Sequence, residues 1–236
     1  MPVYQRALFK ISGEAFGGES GKGFDPRAIG HIASEMVAVA RAGVETAIVI
    51  GAGNFLRGTE AHTLGIETCV ADYMGMTATI LNALALQSAI ENLRYPTRVL
   101  SALEADKVCE PYVRRRALRH LEKKHIVILA GGTGHSACTT DTAVALRAYE
   151  LRCDILLKAT QVDGIYTADP KKDPQATRYE RVSYDEVIEK NLRVMDMNAF
   201  MICKDNAISL MVYACMTKGA SLAAVNGEPV GTLVYV

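Results

Sequence analysis

Two lysines sit where lysine is out of place. Lys10 interrupts the apolar run Ala7-Leu8-Phe9-Lys10-Ile11, and Lys158 interrupts Ile155-Leu156-Leu157-Lys158-Ala159. A lysine inside a buried strand is costly unless a counter-charge or a ligand anion meets it. Taken singly, each reads as an edge-strand lysine whose ammonium snorkels to water. As a pair, each close to a glycine or threonine turn, they read better as cations that meet phosphates. Asp141, Asp154 and Asp196 are the carboxylates that could hold them between turnovers, although each reads equally as a helix cap or a surface charge. Glycine recurs at the same places: apolar runs lead into Ser12-Gly13, into Gly51-Ala52-Gly53 and into Gly131-Gly132-Thr133-Gly134. Glycine lets backbone N–H groups approach a phosphate closely, and a helix N-terminus behind the loop adds partial positive charge. One such loop is only turn chemistry. Three that converge on the carboxyl edge of a parallel sheet, where ligands of such sheets bind, point to a polyphosphate.

The standard phosphate motifs are absent. There is no GxxxxGK[ST], because Lys22 is followed by Gly23, and Gly51-Ala52-Gly53 is followed by Asn54-Phe55-Leu56, so GxGxxG fails too. A P-loop enzyme and a dinucleotide dehydrogenase are thereby disfavoured. The chain has 236 residues, 26 basic and 26 acidic, with 50% hydrophobic residues. This length supports a full core without staples. Charge balance argues against a nucleic-acid platform. No apolar run is expected to reach the ~18–20 residues of a membrane span, and no signal-peptide pattern opens the chain. Six scattered cysteines without a CxxC pair read as reduced and mostly buried, which suggests the cytoplasm. The five histidines lack metal-ligand spacing, so no resident metal is expected.

Short apolar runs alternating with helical periodicity predict an α/β fold: a three-layer α/β/α sandwich with a largely parallel central sheet. Strands are expected at 7–11, 44–50, 97–101, 126–130, 154–159, 209–214 and 232–236. Helices are expected from Asp25-Pro26 to Gly43, over 71–92 and over 140–151. The polar, proline-containing stretch 168–174 divides a longer N-terminal part from a shorter C-terminal one. One domain of two lobes, about 1–153 and 154–236, is the expectation.

The ordered motifs resemble those of the bacterial uridylate kinases of the amino acid kinase superfamily. They are Lys10-Ile11-Ser12-Gly13-Glu14-Ala15, Gly51-Ala52-Gly53-Asn54-Phe55-Leu56-Arg57-Gly58, Asp72-Tyr73-Met74-Gly75-Met76, Gly132-Thr133-Gly134 and Thr139-Thr140-Asp141. The series continues with Lys158-Ala159-Thr160-Gln161-Val162-Asp163-Gly164-Ile165-Tyr166, Ala168-Asp169-Pro170, Val194-Met195-Asp196 and Gly231-Thr232-Leu233. The likeness is collinear over essentially the whole chain. It implies transfer of the γ-phosphoryl group of ATP, brought in with Mg²⁺, to UMP in pyrimidine nucleotide biosynthesis, by a cytoplasmic homo-hexamer. By the same resemblance Lys10, Arg57, Lys158, Asp141 and Asp196 are catalytic. Lys10, Ile11, Ser12, Gly13, Gly53, Arg57, Thr160, Tyr166 and Asp169 would bind ATP. Ala52, Asp72, Thr133, Gly134, His135, Ser136, Ala137, Cys138, Thr139 and Thr140 would bind UMP. Gly18, Glu19, Ser20, Gly21, Lys22 and Gly23 match the segment tied to activation by GTP, with UTP a second candidate effector; read without the resemblance, they form a flexible surface turn.

Three departures from the family pattern stand out. His135-Ser136-Ala137-Cys138 replaces a loop with Asn-Pro and aromatic residues, Gln161 replaces a lysine, and Ala52 replaces a glycine. His135 reads either as a loop filler or as a catalytic acid. The basic run Arg114-Arg115-Arg116-Leu118-Arg119 reads as a solvated helix face or an effector contact before it reads as a nucleic-acid surface. Two other functions stay open at this level: a superfamily kinase acting on an amino-acid carboxylate, and a nucleotide-binding storage or sensor protein without turnover.

Overall fold

The computed structural model describes residues 2–57, 61, 63–160, 162–168, 170, 172–173, 175–192 and 194–236. Gly58, Gln161 and Asp169, singled out above, lie outside the described residues. Among the described residues, nine strands form one sheet: β1 Arg6–Ile11, β2 Glu45–Ile50, β3 Thr97–Ser101, β4 Glu110–Pro111, β5 Ile126–Ala130, β6 Ile155–Thr160, β7 Arg181–Ser183, β8 Ser209–Ala214 and β9 Gly231–Tyr235. Their order is β4-β3-β5-β2-β1-β6-β8-β9-β7. All neighbours pair in parallel except β8 and β9, which are antiparallel. The expected largely parallel sheet is therefore found, with an edge of reversed strands that the apolar pattern did not reveal.

Alternation along the strands builds two cores. Phe9, Ile11, Ile48, Ile50, Ile128 and Leu157 face one layer. Leu8, Ala47, Val49, Val127, Leu129 and Leu156 face the other. Helices α1 (Pro26–Arg41), α2 (Thr68–Asn92) and, near the C-terminus, Ala220–Val225 cover the first face; Arg114–Glu122 (α3), Thr140–Leu151 (α4), Tyr184–Glu189 (α5) and Met197–Asp205 (α6) cover the second. The C-terminal helix Ala220–Val225 is α7. Central strands buried on both faces are what a parallel sheet between helical layers requires.

Caps place the helices. Asp25 accepts the N–H groups of Arg27 (2.7 Å) and Ala28 (3.1 Å) with Pro26 at the first turn, as the sequence predicts for α1. Thr139 caps α4 and Asp196 caps α6. Helix α7 has no side-chain cap of its own. Glu35 of α1, buried, reaches across to the N–H groups of Gly219 (2.7 Å) and Ser221 (3.1 Å), so its carboxylate closes that helix start.

Several expectations need correction. Asp154 does not approach the lysines: it sits at the opposite end of the sheet, where its carboxylate accepts the N–H groups of Gln5 and Arg6 at 2.7 and 2.8 Å. Helix α2 starts at Thr68, three residues before the expected position, and an 18-residue window within it averages a hydropathy of 1.3, apolar and long enough by composition to cross a membrane. Met76, Ile80, Ala83, Leu86 and Ile90 instead bury one of its faces in the core, while Val70, Tyr73, Met74 and Leu81 remain exposed. Cys153, Cys203 and Cys215 are buried and Cys109 half-buried, as expected of most of the thiols, while Cys69 and Cys138 are exposed; all six cysteines are free. In the basic run, Arg115, Arg116 and Arg119 are exposed, which agrees with the solvated helix face expected, while Arg114 donates to the carbonyl of Glu150 and Arg116 pairs with Glu110.

Candidate active site

The two lysines are direct register partners, Lys10 on β1 and Lys158 on β6. Because side chains alternate across a strand, both point to the α4 side of the sheet, on the same side as Leu8 and Leu156. There Asp141, in the first turn of α4, lies between them. Lys158 Nζ donates to Asp141 Oδ2 at 2.7 Å and to the carbonyl of Val194 at 2.5 Å. Lys10 Nζ is 3.3 Å from Oδ1, an ion pair without hydrogen-bond geometry. Lys10 is therefore the more loosely held of the two ammonium groups.

The electrostatics follow from burial and from these pairs. Burial opposes the ionisation of Asp141, but Lys10 and Lys158 outweigh it and hold the carboxyl below its ordinary range. Burial pulls the Lys158 pKa down, with Lys10 adding to the effect and Asp141 resisting it. Two cations share Asp141, and Asp196 acts on Lys158 from farther off. An incoming phosphoryl group can take the place of these carboxylates as partner of the ammonium groups.

Glycine permits the backbone to close around this point. A side chain on Gly13 would place its Cβ 2.6 Å from both the Gly51 carbonyl and the Gly53 nitrogen, so only glycine fits where the β1 and β2 loops touch. Gly131 and Gly132 follow β5 with φ of 75° and 56°, the left-handed turn that leads the chain toward α4.

Three cavities open around the lysines and their neighbours. One of about 300 Å³ is lined by Ala52, Gly53, Asp72, Gly132, Cys138, Thr139 and Thr140 among others. The structure thus brings together five of the ten residues expected at the acceptor. Thr133, Gly134, His135, Ser136 and Ala137 lie outside its lining. Thr133 Oγ1 bonds locally with His135, and Ala137 donates its N–H to Asp72 Oδ2 at 2.7 Å. His135 is exposed and lies outside that lining.

A second cavity, about 520 Å³, is lined by Thr160, Val162, Ile165, Tyr166, Leu192 and Val194. Tyr166 Oη donates to Asp163 Oδ1 at 2.7 Å, which fixes its ring at the mouth. The third, about 970 Å³, holds Lys10, Ser12, Thr160 and the segment Gly17–Ser20. So Gly18, Glu19 and Ser20 adjoin the lysine region; Gly13–Ser20 runs as 3-10 turns broken at Gly18, whose φ of 57° and ψ of −137° are non-helical. Gly21, Lys22 and Gly23 fall outside that lining.

Asp196 approaches the site through Thr139, whose hydroxyl donates to its carboxylate; it also caps α6 through Ala199 N–H at 2.8 Å. Arg57 pairs with Glu14 at 3.0 Å, on an exposed rim next to the Gly53 loop. The sequence reading gave no role to Asn82, Thr79 or Asn54, all buried. Asn82 carried a legible signal, a polar residue in phase with Ala78 and Leu86 on the inward face of α2.

The amino acid kinase family model matches residues 5–214. The chain is 47% identical to a uridylate kinase of Methylococcus capsulatus over 233 residues, 99% of this chain and 98% of that one. It superposes on the crystal structure of a UMP kinase from Bacillus anthracis with a TM-score of 0.96 at 37% identity, covering 100% of this chain and 97% of the other. Against a UMP kinase from Ureaplasma parvum the TM-score is 0.94 at 34% identity, covering 98% and 99%.

Proposed function

This chain belongs to the amino acid kinase family and, within it, to the uridylate kinases, and from that premise we propose that it transfers the γ-phosphoryl group of ATP to the 5′-phosphate of UMP, giving UDP and ADP. The observation that carries the reading is the Lys10–Asp141–Lys158 cluster, with a cavity containing Asp72 and Thr140 near it and cavities reaching Thr160 and Tyr166 on its other side.

The chemistry needs little more than positioning. The acceptor phosphate is close to dianionic at neutral pH, with a second pKa of about 6, so it attacks without a general base. The barrier lies in bringing two anions into line and spreading the charge of the transferred group. Lys10 and Lys158 meet that charge, with Lys10 paired to Asp141 at a longer distance than Lys158. Asp141 and Asp196 act by orienting groups: Asp141 aligns the two ammonium groups, and Asp196 holds the Thr139 hydroxyl. The donor enters as its magnesium complex, with the ion carried by the nucleotide phosphates. Arg57, Ser12 and the N–H groups of Gly13 and Gly53 cradle the donor phosphates, and Tyr166 with Asp169 holds the nucleoside. Asp72 accepts hydrogen bonds from ribose hydroxyls, and Thr139 and Thr140 read the uracil.

Asp72 also bears on the alternatives. A carboxylate facing the acceptor cavity repels an amino-acid carboxylate but suits a ribose diol. Retention of both lysines favours turnover over storage. Residues 1–153 are read as the acceptor lobe and 154–236 as the donor lobe. GTP as activator fits the Gly18–Ser20 segment beside Lys10, and the exposed Val70, Tyr73, Met74 and Leu81 on α2 suit a contact within a cytoplasmic hexamer. Phosphorus NMR of a reaction containing ATP, Mg²⁺ and UMP tests the reaction: resonances of UDP and ADP should grow in equal amounts, and release of inorganic phosphate alone would refute it.

A further inference from the structure

Asn54 and Asn82 form a closed amide pair beneath the phosphate loop. Asn54 Nδ2 donates to Asn82 Oδ1 at 2.9 Å, and Asn82 Nδ2 returns a bond to Asn54 Oδ1 at 2.8 Å. The second N–H of Asn82 goes to the Gly51 carbonyl at 2.8 Å, and that of Asn54 to the Gly23 carbonyl at 2.8 Å. Gly23 N–H in turn donates to the Asn54 carbonyl at 3.0 Å. Every amide N–H of the pair is used, and both side chains are buried, at 0% and 4% exposure for Asn82 and Asn54. A buried network satisfied to this degree fixes one geometry, and removing a member leaves its partners unpaired.

The pair joins three segments with different duties. Asn54 ends the Gly51–Asn54 loop, whose backbone touches Gly13. Asn82 stands on α2, the helix that also carries Asp72 into the acceptor cavity. Two further bonds show that α2 aligns the acceptor side as well: Thr79 Oγ1 accepts the N–H of Gly131 at 2.8 Å, and Asp72 accepts that of Ala137. Gly23 closes the segment that borders the Lys10 cavity. We infer that Asn82 and Asn54 are positioning residues for phosphoryl transfer, holding the β2 phosphate loop in register with the acceptor helix so that donor and acceptor phosphates meet in line. The inference rests on the reading of the Gly51–Asn54 loop as a phosphate loop in a UMP kinase.

Asn82→Ala, Asn54→Ala and the double variant test it by steady-state kinetics at saturating UMP and MgATP, at a temperature well below each melting midpoint. Misalignment predicts that kcat falls about 10- to 100-fold in either single variant, with each KM moving less than about threefold. Both changes break the same pair, so the double variant should be no more than about threefold slower than the slower single one. Losses confined to KM, multiplicative losses in the double variant, or unchanged kcat with a lowered melting temperature would each overturn the inference. Should Asn82→Ala not fold, Asn54→Ala decides by the same split, since Asn54 lies in a loop. In wild-type enzyme, an isotope-labelled sample should show both side-chain amide signals shifting when either UMP or an ATP analogue binds alone; signals that answer to neither would also overturn it. Wild-type enzyme that makes no UDP would instead refute the kinase reading.

Discussion

Lys10 and Lys158 are register partners on adjacent parallel strands, and one carboxylate, Asp141, lies against both of their ammonium groups. The pairing follows from the sheet: residues at the same level of neighbouring strands point the same way, and the first turn of α4 ends above them. Like charges held this close destabilise the resting protein unless a carboxylate lies between them. The phosphoryl group in transit meets the same cations.

Lys10→Ala and Lys158→Ala should each lower kcat by a factor of ~10² or more, equivalent to about 2.7 kcal/mol, with the fold retained. Coupled assays alongside circular-dichroism melting check this. Near wild-type turnover in both variants would remove the phosphate-clamp reading.

Asp141 gives a pH signature. Its pKa is depressed in the folded protein, so its contribution to stability is fully present above the unfolded value of 3.8 and is lost as pH falls through the lower folded value. Asp141→Asn should therefore be less stable than wild type at neutral pH, and the gap should narrow as pH drops below about 3.8. Denaturant titrations across that range measure it; a gap independent of pH would mean that the ion pairs contribute nothing.

Asp72→Asn should raise the KM for UMP by about tenfold or more while changing that for ATP less than twofold, since each hydrogen bond to a charged group is worth roughly 1.5–3 kcal/mol. The bond to Ala137 N–H survives in weakened form, because the amide oxygen still accepts. Equal losses for both nucleotides would reassign Asp72 to anchoring its loop.

Much of this arrangement could be read from the chain, for identifiable reasons. Lys10 and Lys158 violate the apolar rule of their strands, and glycines mark the sheet edge that carries ligands. The inward phase of Asn82 was legible, but its pairing with Asn54 was not, because the partners are 28 residues apart and amide pairing has no periodicity. The place of Asp154, by contrast, was legible: at the start of the strand expected at 154–159 it lies at the opposite end of that strand from Lys158, too far to pair with it. The reversed edge of β9 and β7 rests on strand pairing, which alternation cannot encode. The Glu35 cap on α7 is likewise a contact across 184 residues.

Within the loop that departs from the family pattern, Cys138 lines the acceptor cavity and His135 does not. His135→Ala should leave kcat and its pH profile within about twofold of wild type, as expected for a surface change. Alkylation of Cys138 in a Cys69→Ser background should block UMP binding, with UMP but not ATP protecting the thiol. Modified enzyme with an unaltered KM for UMP would place the acceptor elsewhere.

The acceptor read from this site is a uridine monophosphate, aligned against ATP by the two lysines. Measuring kcat/KM for UMP, CMP and acetylglutamate with saturating MgATP tests it most directly. Sites built to hydrogen-bond a substrate group reject analogues lacking it by factors of ~10⁴ or more, whereas size alone discriminates by only ~1–3 kcal/mol. UMP should run well ahead of CMP, and acetylglutamate should give no turnover. CMP or the acyl acceptor outperforming UMP would contradict it.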